Sequence, residues 1–287
     1  MDERAALGSI AAALDHAGDD AAVVDGQVLT TDMLHETTDF PDGTTRYTAG
    51  WRAVGASLSD VAAMGAEATA AVAVYAAPTF VERELLDFLA GARDVCEAVG
   101  AEYVGGDLDA NEEFTVATTA LGRTDEPIHR SGAQPGEAVC VTGTLGRSAA
   151  ALRLFERGEA GRANECFRFV PRVAAGRALA PHASAMMDSS DGLARSLHQL
   201  AEASGCGFAI ERDAIPVDET LREVAESEAT TLATTFGEDF ELVFTLPERS
   251  SGLLEGDVEV PITVVGEVTE SDLTIDGEAL PDRGFTH

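Results

Sequence analysis

The chain opens with apolar residues at helical spacing. Leu7, Ile10 and Leu14 share one face of residues 2–16, which predicts a helix. Two short apolar runs follow, 21–24 and 27–31, separated by Asp25-Gly26, a dipeptide suited to a tight hairpin. A polar stretch at 36–46 predicts a loop. Alanine-rich residues 48–65 predict a helix, 68–76 a buried strand, and 79–99 a longer helix ending before Gly100. A strand near 102–105 runs into Gly105-Gly106-Asp107, and 113–121 predicts another strand. The polar, Pro- and Gly-containing stretch 123–136 is the best domain boundary. Beyond it the pattern predicts a strand at 138–142, a turn over Gly143-Thr144-Leu145-Gly146 and a helix reaching residue 156. Helices at 171–181 and 190–204 alternate with strands at 184–188 and 206–211. Strands near 239–246 and 261–268, and a hairpin at Asp276-Gly277, complete the pattern. Helices and strands alternate throughout, so both halves read as α/β.

Composition bounds this picture. A chain of 287 residues with 45% hydrophobic content has material for one large or two medium packed domains. No run approaches the roughly 20 apolar residues of a membrane span. Met1-Asp2-Glu3-Arg4 does not lead into a basic-then-apolar leader, so a cytoplasmic location is expected and no membrane partner. The net charge is −32, and all 19 basic residues are arginine. Dispersed acids without lysine suit a surface solvated in very high salt, where the Debye length shrinks to about 3 Å at about 1 M. Such a surface repels nucleic acid, whose phosphates demand a basic patch. The missing lysine also excludes a Walker A loop and the strand lysine of protein kinases. Cys96, Cys140, Cys166 and Cys206 lack metal or redox spacing and read as reduced, buried thiols. The histidines, from His16 to His287, have no metal-ligand spacing either.

Candidate chemistry lies in aspartates set among small residues. Asp19-Asp20 follows Gly18 and alone reads as a solvated turn. Thr30-Thr31-Asp32 ends a hairpin strand, and its oxygens suit Mg²⁺ or its waters. Asp60 has Ala56, Ser57, Ala63 and Met64 three and four residues away on its helix, so no basic neighbour can pair with it. Buried charges are paired or coordinate metals. Gly105-Gly106-Asp107 reads equally as a ligand-approach segment and as a plain turn. Asp188-Ser189-Ser190-Asp191-Gly192 joins a strand to a helix. It could cap that helix, or hold phosphate and a bridging metal at its N-terminus. Val141–Gly146 reads first as a structural turn. Arg130 is either a surface residue at the boundary or a bidentate phosphate clamp.

Taken in order, these segments resemble the thiamine-monophosphate kinase family. The match runs through Gly18–Ala22, Thr30–Leu34, Ala56–Ala66, Gly105–Asp107, Arg130–Gly136, Val141–Gly146, Asp188–Leu193 and Gly237-Glu238-Asp239-Phe240-Glu241-Leu242. The Ser57-Leu58-Ser59-Asp60 and Asp188–Gly192 segments are the most specific together.

The resemblance implies a two-domain aminoimidazole ribonucleotide synthetase-like fold of α/β (α+β) type. An N-terminal metal- and ATP-binding domain, 1–128, would pair its sheet across a homodimer, and 129–287 would form a C-terminal α/β sandwich. It implies ATP-dependent phosphorylation of thiamine phosphate to thiamine diphosphate, assisted by several Mg²⁺ ions and needing no dedicated catalytic base. Implied metal ligands are Asp20, Thr30, Thr31, Asp32, Asp60, Asp107, Asp188 and Asp191. Implied ATP contacts are Gly106, Asp107, Arg130 and Ser190, and implied acceptor positions are Asp39, Glu238 and Asp282. Two positions depart from the family pattern: Asp39-Phe40 stands where His-Phe is usual, and Asp282 stands where an aromatic is common. The alternatives are a superfamily relative with another acceptor, or a non-catalytic acidic ion-binding protein. If the acids only solvated the surface they would be exposed, whereas a metal cradle puts Asp60 and Asp188 in one buried cleft.

Overall fold

The computed structural model describes residues 3–14, 16–247 and 258–284. Asp2 and Asp15 of the expected first helix, the side chain of Leu7, and Phe285 lie outside this description. In chain order the first half comprises α1 (Glu3–Ala11), β1 (Ala22–Val24), β2 (Gln27–His35), the one-turn α2 (Glu36–Asp39), α3 (Arg46–Ala63), β3 (Glu67–Ala77), α4 (Glu82–Ala98), β4 (Glu102–Ala110) and β5 (Thr115–Arg123). The second half comprises β6 (Ala138–Thr142), α5 (Arg147–Glu156), α6 (Ala160–Phe167), α7 (Val173–Leu179), β7 (Ala185–Asp188), α8 (Leu193–Ser204), β8 (Gly207–Ile210), α9 (Glu219–Ala225), α10 (Ala229–Thr235), β9 (Leu242–Leu246), β10 (Ile262–Thr269), β11 (Leu273–Ile275) and β12 (Glu278–Ala279).

Two mixed sheets result, in the orders β1-β2-β5-β3-β4 and β12-β11-β8-β10-β6-β9-β7. Their pairs are antiparallel except β3–β4 and β8–β11. A crossover helix is what a parallel neighbour requires, and α4 supplies it between β3 and β4. Residues 124–137 join the sheets without a helix or strand.

Helix α3 sits between the two halves. Half of its residues are Ala, Gly or Ser, and most are buried. Val54, Leu58, Val61 and Met64 share one apolar core with Val28 and Val116 of the first sheet and with Met186, Leu242 and Phe244 of the second. Small side chains on every face let backbone from both sheets approach one helix. A second core fills the space between the other face of the second sheet and α5, α8, α9 and α10.

The hairpin at Asp25-Gly26 forms as expected, with Val24 opposite Gln27. Three expectations change. Gly105-Gly106-Asp107 is not a turn after a strand, because β4 runs unbroken through it to Ala110. The loop at 36–46 contains α2 and the start of α3. The first helix ends at Ala11, short of the expected residue 16, and Ile10 and Leu14 are 49% and 58% exposed, so neither reaches a core among the described residues. No helix among the described residues is long and apolar enough to cross a membrane. Cys96, Cys140 and Cys166 are buried free thiols as expected, whereas Cys206 is only half-buried.

Candidate metal and phosphate site

Carboxylates of Asp20, Asp60 and Asp188 converge, with one oxygen from each lying within 4.8 Å of the others. Three separate elements deliver them: the loop before β1, the last turns of α3, and the C-terminal end of β7. On β2 the side chains alternate, and Val28, Thr30 and Leu34 are buried while Leu29, Thr31 and Met33 are exposed. Thr30 therefore faces α3, where its hydroxyl donates to Asp60 Oδ2 at 2.5 Å. Asp32, two residues on, shares that face and adds negative field at Asp60. Ser59 Oγ donates to Asp188 Oδ2 at 2.6 Å, tying α3 to β7. Asp191 stands close enough to act electrostatically on Asp188.

Electrostatics describe a cation site. Burial, then Asp188 and Asp20, push the Asp60 carboxyl well above the usual carboxylate range. Burial, then Asp20, push Asp188 up to about 7. Arg130 is the nearby positive group, and its Nε and Nη2 donate to Asp20 Oδ2 and Oδ1 at 3.2 and 2.9 Å. Burial opposes its charge, but Asp20 and Asp19 outweigh burial and raise its pKa. Hard oxygen donors crowded to this degree, with hydroxyl support from Thr30, fit Mg²⁺. Asp19 is occupied elsewhere. It accepts from the Arg130 backbone N–H at 3.1 Å and pairs with His129 at 2.8 Å, fastening the inter-sheet connection to the Asp20 loop.

Two expected ligands do not reach this cluster. Thr31 points from the opposite face of β2, and its hydroxyl donates to the Thr118 carbonyl at 2.7 Å. Asp107 is opposite Val74, which is opposite Ala117, which is opposite Met33. That row lies on the outer face, whereas Asp32 lies on the inner one. With strands about 4.8 Å apart, three strand steps also separate β4 from β2 by about 14 Å. Gly106 does allow close approach, but to protein: a Cβ there would lie 1.8 Å from the Ala73 carbonyl of β3. Gly106 and Asp107 instead line a cavity of about 360 Å³ with Tyr75, Leu85, Phe88 and Tyr103.

The Asp188–Gly192 turn is locked to the Gly237–Glu241 segment. Glu238 N–H donates to Ser190 O at 2.6 Å, Phe240 N–H to Ser189 O at 3.2 Å, and Ser189 N–H to Glu241 O at 2.8 Å. Gly237 has φ +85°, and a Cβ there would strike Ser190 O at 2.5 Å. Glu238 (φ 63°) and Phe240 (φ 55°) also adopt left-handed backbone without being glycine. Such strain persists only where surroundings over-determine it, and it concentrates at functional sites.

The glycine turn before α5 is structural. Asp239 accepts from the Gly146 and Ser148 N–H groups, the latter at 3.0 Å, so this helix start is capped by a carboxylate. Glu241 fills the space beside Gly143 and takes both Thr142 Oγ1, at 2.6 Å, and Arg172. Asp39 closes its own turn by accepting from the His35 N–H at 2.7 Å. Asp282 pairs with Arg195 at 2.6 Å, and the adjoining Gly284 packs on the Asp191 carbonyl.

Sequence reasoning missed Ser59 and Arg52. Arg52 is 2% exposed and donates to Glu238 Oε2 at 2.5 Å. The argument that singled out Asp60 applies to it equally: Thr48, Ala49, Gly55 and Ala56 stand three and four residues away on α3.

Residues 18–124 match the family described as AIR synthase related protein, N-terminal domain, and residues 134–277 match its C-terminal domain. Sheets, connection and acidic cluster thus define a two-domain AIR synthase related protein. The chain is 59% identical to the thiamine-monophosphate kinase of Halobacterium salinarum over the full length of both. It is 39% identical to that of Methanospirillum hungatei, covering 95% of this chain and 94% of the relative. A solved structure of AaThiL complexed with AMPPCP and TMP superposes with a TM-score of 0.91 at 28% identity, covering 100% of this chain and 97% of that one. The chain belongs to the thiamine-monophosphate kinase family.

Proposed function

We infer that this chain transfers the γ-phosphoryl group of ATP to the phosphate of thiamine phosphate, giving thiamine diphosphate and ADP. The convergence of Asp20, Asp60 and Asp188 carries the reading, in a chain 59% identical to a thiamine-monophosphate kinase. Both reactants are anionic, and the chain has no lysine to bring to them. Asp20, Asp32, Asp60, Asp188 and Asp191, with Thr30 in support, would hold Mg²⁺, which would supply the positive charge that phosphoryl transfer requires.

The protein's own contribution is positioning. Asp60 and Asp188 are fixed by Thr30 and Ser59, so the acids meet their cation without rearranging. Arg130 holds Asp20 through Nε and Nη2 and can turn its remaining N–H groups to a phosphate. Ser190 lies within the turn that leads into α8, beside Asp191. The attacking oxygen belongs to a phosphate already deprotonated at neutral pH, so no general base is needed. Glu238 is offered for the cationic acceptor, together with Asp39 and Asp282. The apolar cavity beside Gly106 and Asp107 is offered for the nucleotide's base.

A homodimer belongs to this reading. Leu29, Met33, Val74 and Val104 leave the outer face of the first sheet apolar and exposed. A second copy packed there buries that face, and Asp107 can join a metal cluster only by coming from such a copy. A cytoplasmic location accompanies the biosynthetic role. The test is a coupled ADP assay in molar salt with thiamine phosphate and other phosphorylated vitamins and purine precursors. Thiamine diphosphate is the expected product. Turnover of a different phosphate acceptor alone would move the assignment to a relative.

A further inference from the structure

Arg52 carries a full charge into the interior of α3, and its contacts explain why. Its Nη1 donates to the Phe167 carbonyl at 2.5 Å and to Ser148 Oγ at 3.3 Å. Its Nη2 donates to the Glu238 carbonyl at 3.3 Å and to Glu238 Oε2 at 2.5 Å. The guanidinium lies 3.7 Å from the centre of the Phe167 ring, with Phe169 and Phe240 a little farther off. Burying a charge is costly unless paired, and this one is paired chiefly with a single carboxylate.

That carboxylate sits on strained backbone. Glu238 (φ 63°) is held at three points: its N–H by Ser190, its carbonyl by Ser148 Oγ at 2.6 Å and by Arg52, and its side chain by Arg52. Arg52 occupies Oε2, and no donor among the described residues takes Oε1. Glu238 is only 16% exposed, so this single oxygen is what it offers outward.

We propose that Arg52 is a positioning residue for the acceptor substrate: it fixes Glu238 in one geometry, with Oε1 presented as the oxygen that meets thiamine phosphate. The inference rests on reading Glu238 as an acceptor-side residue. Arg52 touches neither reactant and acts through Glu238. Lysine cannot replace it, because a single ammonium cannot serve the Phe167 carbonyl and the carboxylate while lying flat on the ring.

Steady-state kinetics in molar salt, with KM measured separately for thiamine phosphate and ATP, test this. Arg52→Gln should raise the acceptor KM by about tenfold or more and leave the ATP KM within about twofold, with Arg52→Lys in between. Glu238→Ala should show the same split, and the Arg52→Gln/Glu238→Ala double variant should be no worse than Glu238→Ala alone. A merely structural role for Arg52 would raise both KM values and add to the Glu238 effect, which overturns the proposal. An unchanged acceptor KM in Glu238→Ala refutes the reading of Glu238 instead. A raised acceptor KM in Glu238→Ala, beside wild-type values in both Arg52 variants, overturns the role of Arg52 alone. Circular dichroism checks folding. Should neither Arg52 variant fold, Ser148→Ala removes a bond to Arg52 and one to the Glu238 carbonyl without unpairing a charge. A wild-type acceptor KM there overturns the proposal, and a severalfold rise confined to the acceptor supports it.

Discussion

Ser59 and Asp188 join the two halves of the molecule: the Ser59 hydroxyl donates to Asp188 Oδ2 at 2.6 Å, from α3 to the end of β7. Asp60, the next residue on α3, stands in the same acidic cluster. One helix therefore sets both the carboxylate it owns and the carboxylate it borrows from the other sheet. Ser59→Ala should lower turnover on the order of tenfold while far-UV circular dichroism is unchanged, since it frees Asp188 without emptying the cluster. Wild-type turnover would show that Asp188 needs no tether.

Removing a cluster acid is expected to do more. Asp60→Asn or Asp188→Asn should reduce kcat on the order of a hundredfold or beyond, because charge on the transferring phosphoryl group is then less well neutralised. Without added metal each variant should melt at or above the wild-type temperature, because a like-charge contact has gone. Wild-type rates in either variant would exclude the cluster from the reaction.

The two threonines of β2 separate side-chain from strand effects. Thr30→Val removes the donor to Asp60 and should cut activity about tenfold. Thr31→Val leaves the cluster untouched and keeps a β-branched residue on the outer face, so its turnover should stay within about twofold of wild type. Equal losses in both would place the Thr31 side chain in the site, against the alternation of β2.

Acidity should tune metal-free stability in a definite direction. Asp60 and Asp188 have raised pKa values in the folded chain, Asp188 from 3.8 to about 7. Between those values the folded chain binds protons that the unfolded chain has released. The Asp188 contribution to stability thus falls as pH rises toward about 7, then levels off, and that of Asp60 falls in the same direction. Mg²⁺ binds the deprotonated acids, so its stabilising effect should grow over the same interval. Melting temperatures with EDTA and with Mg²⁺, compared at about pH 5.5 and about pH 8, measure both trends. A metal-induced shift of equal size at both would count against buried, protonated acids.

Salt should control assembly. With a net charge of −32, two copies repel strongly once the Debye length grows from about 3 Å at about 1 M to about 10 Å at about 0.1 M. Sedimentation velocity should show a dimer in molar salt that weakens on dilution. A dimer indifferent to desalting would contradict a surface built for brine.

Much of the cluster was legible because an acid flanked by small residues cannot hide its need for a partner. Asp60 is the clearest case, since its helix neighbours offer no basic group. The same signal marked Arg52, but a lone buried cation calls for a carboxylate, and Glu238 lies 186 residues away in sequence. The face on which Asp107 sits was not legible. Two glycines hide the alternation of β4, and only its register against β3 reveals that the aspartate faces outward. Helices α6, α9 and α10 escaped because seven or eight residues give barely two turns of periodicity. The pairing of Asp239 with the start of α5 was equally hidden, as it joins residues more than 90 apart.

Arg52 and Asp60 are eight residues apart on α3, about 12 Å along its axis at about 1.5 Å per residue. On the proposed roles, this rigid rod gauges the separation between the oxygen meant for a vitamin's cationic ring and the acids meant for its phosphate. Selection among phosphorylated compounds then becomes a matter of length: a shorter or longer molecule can engage either end of this span, but not both at once.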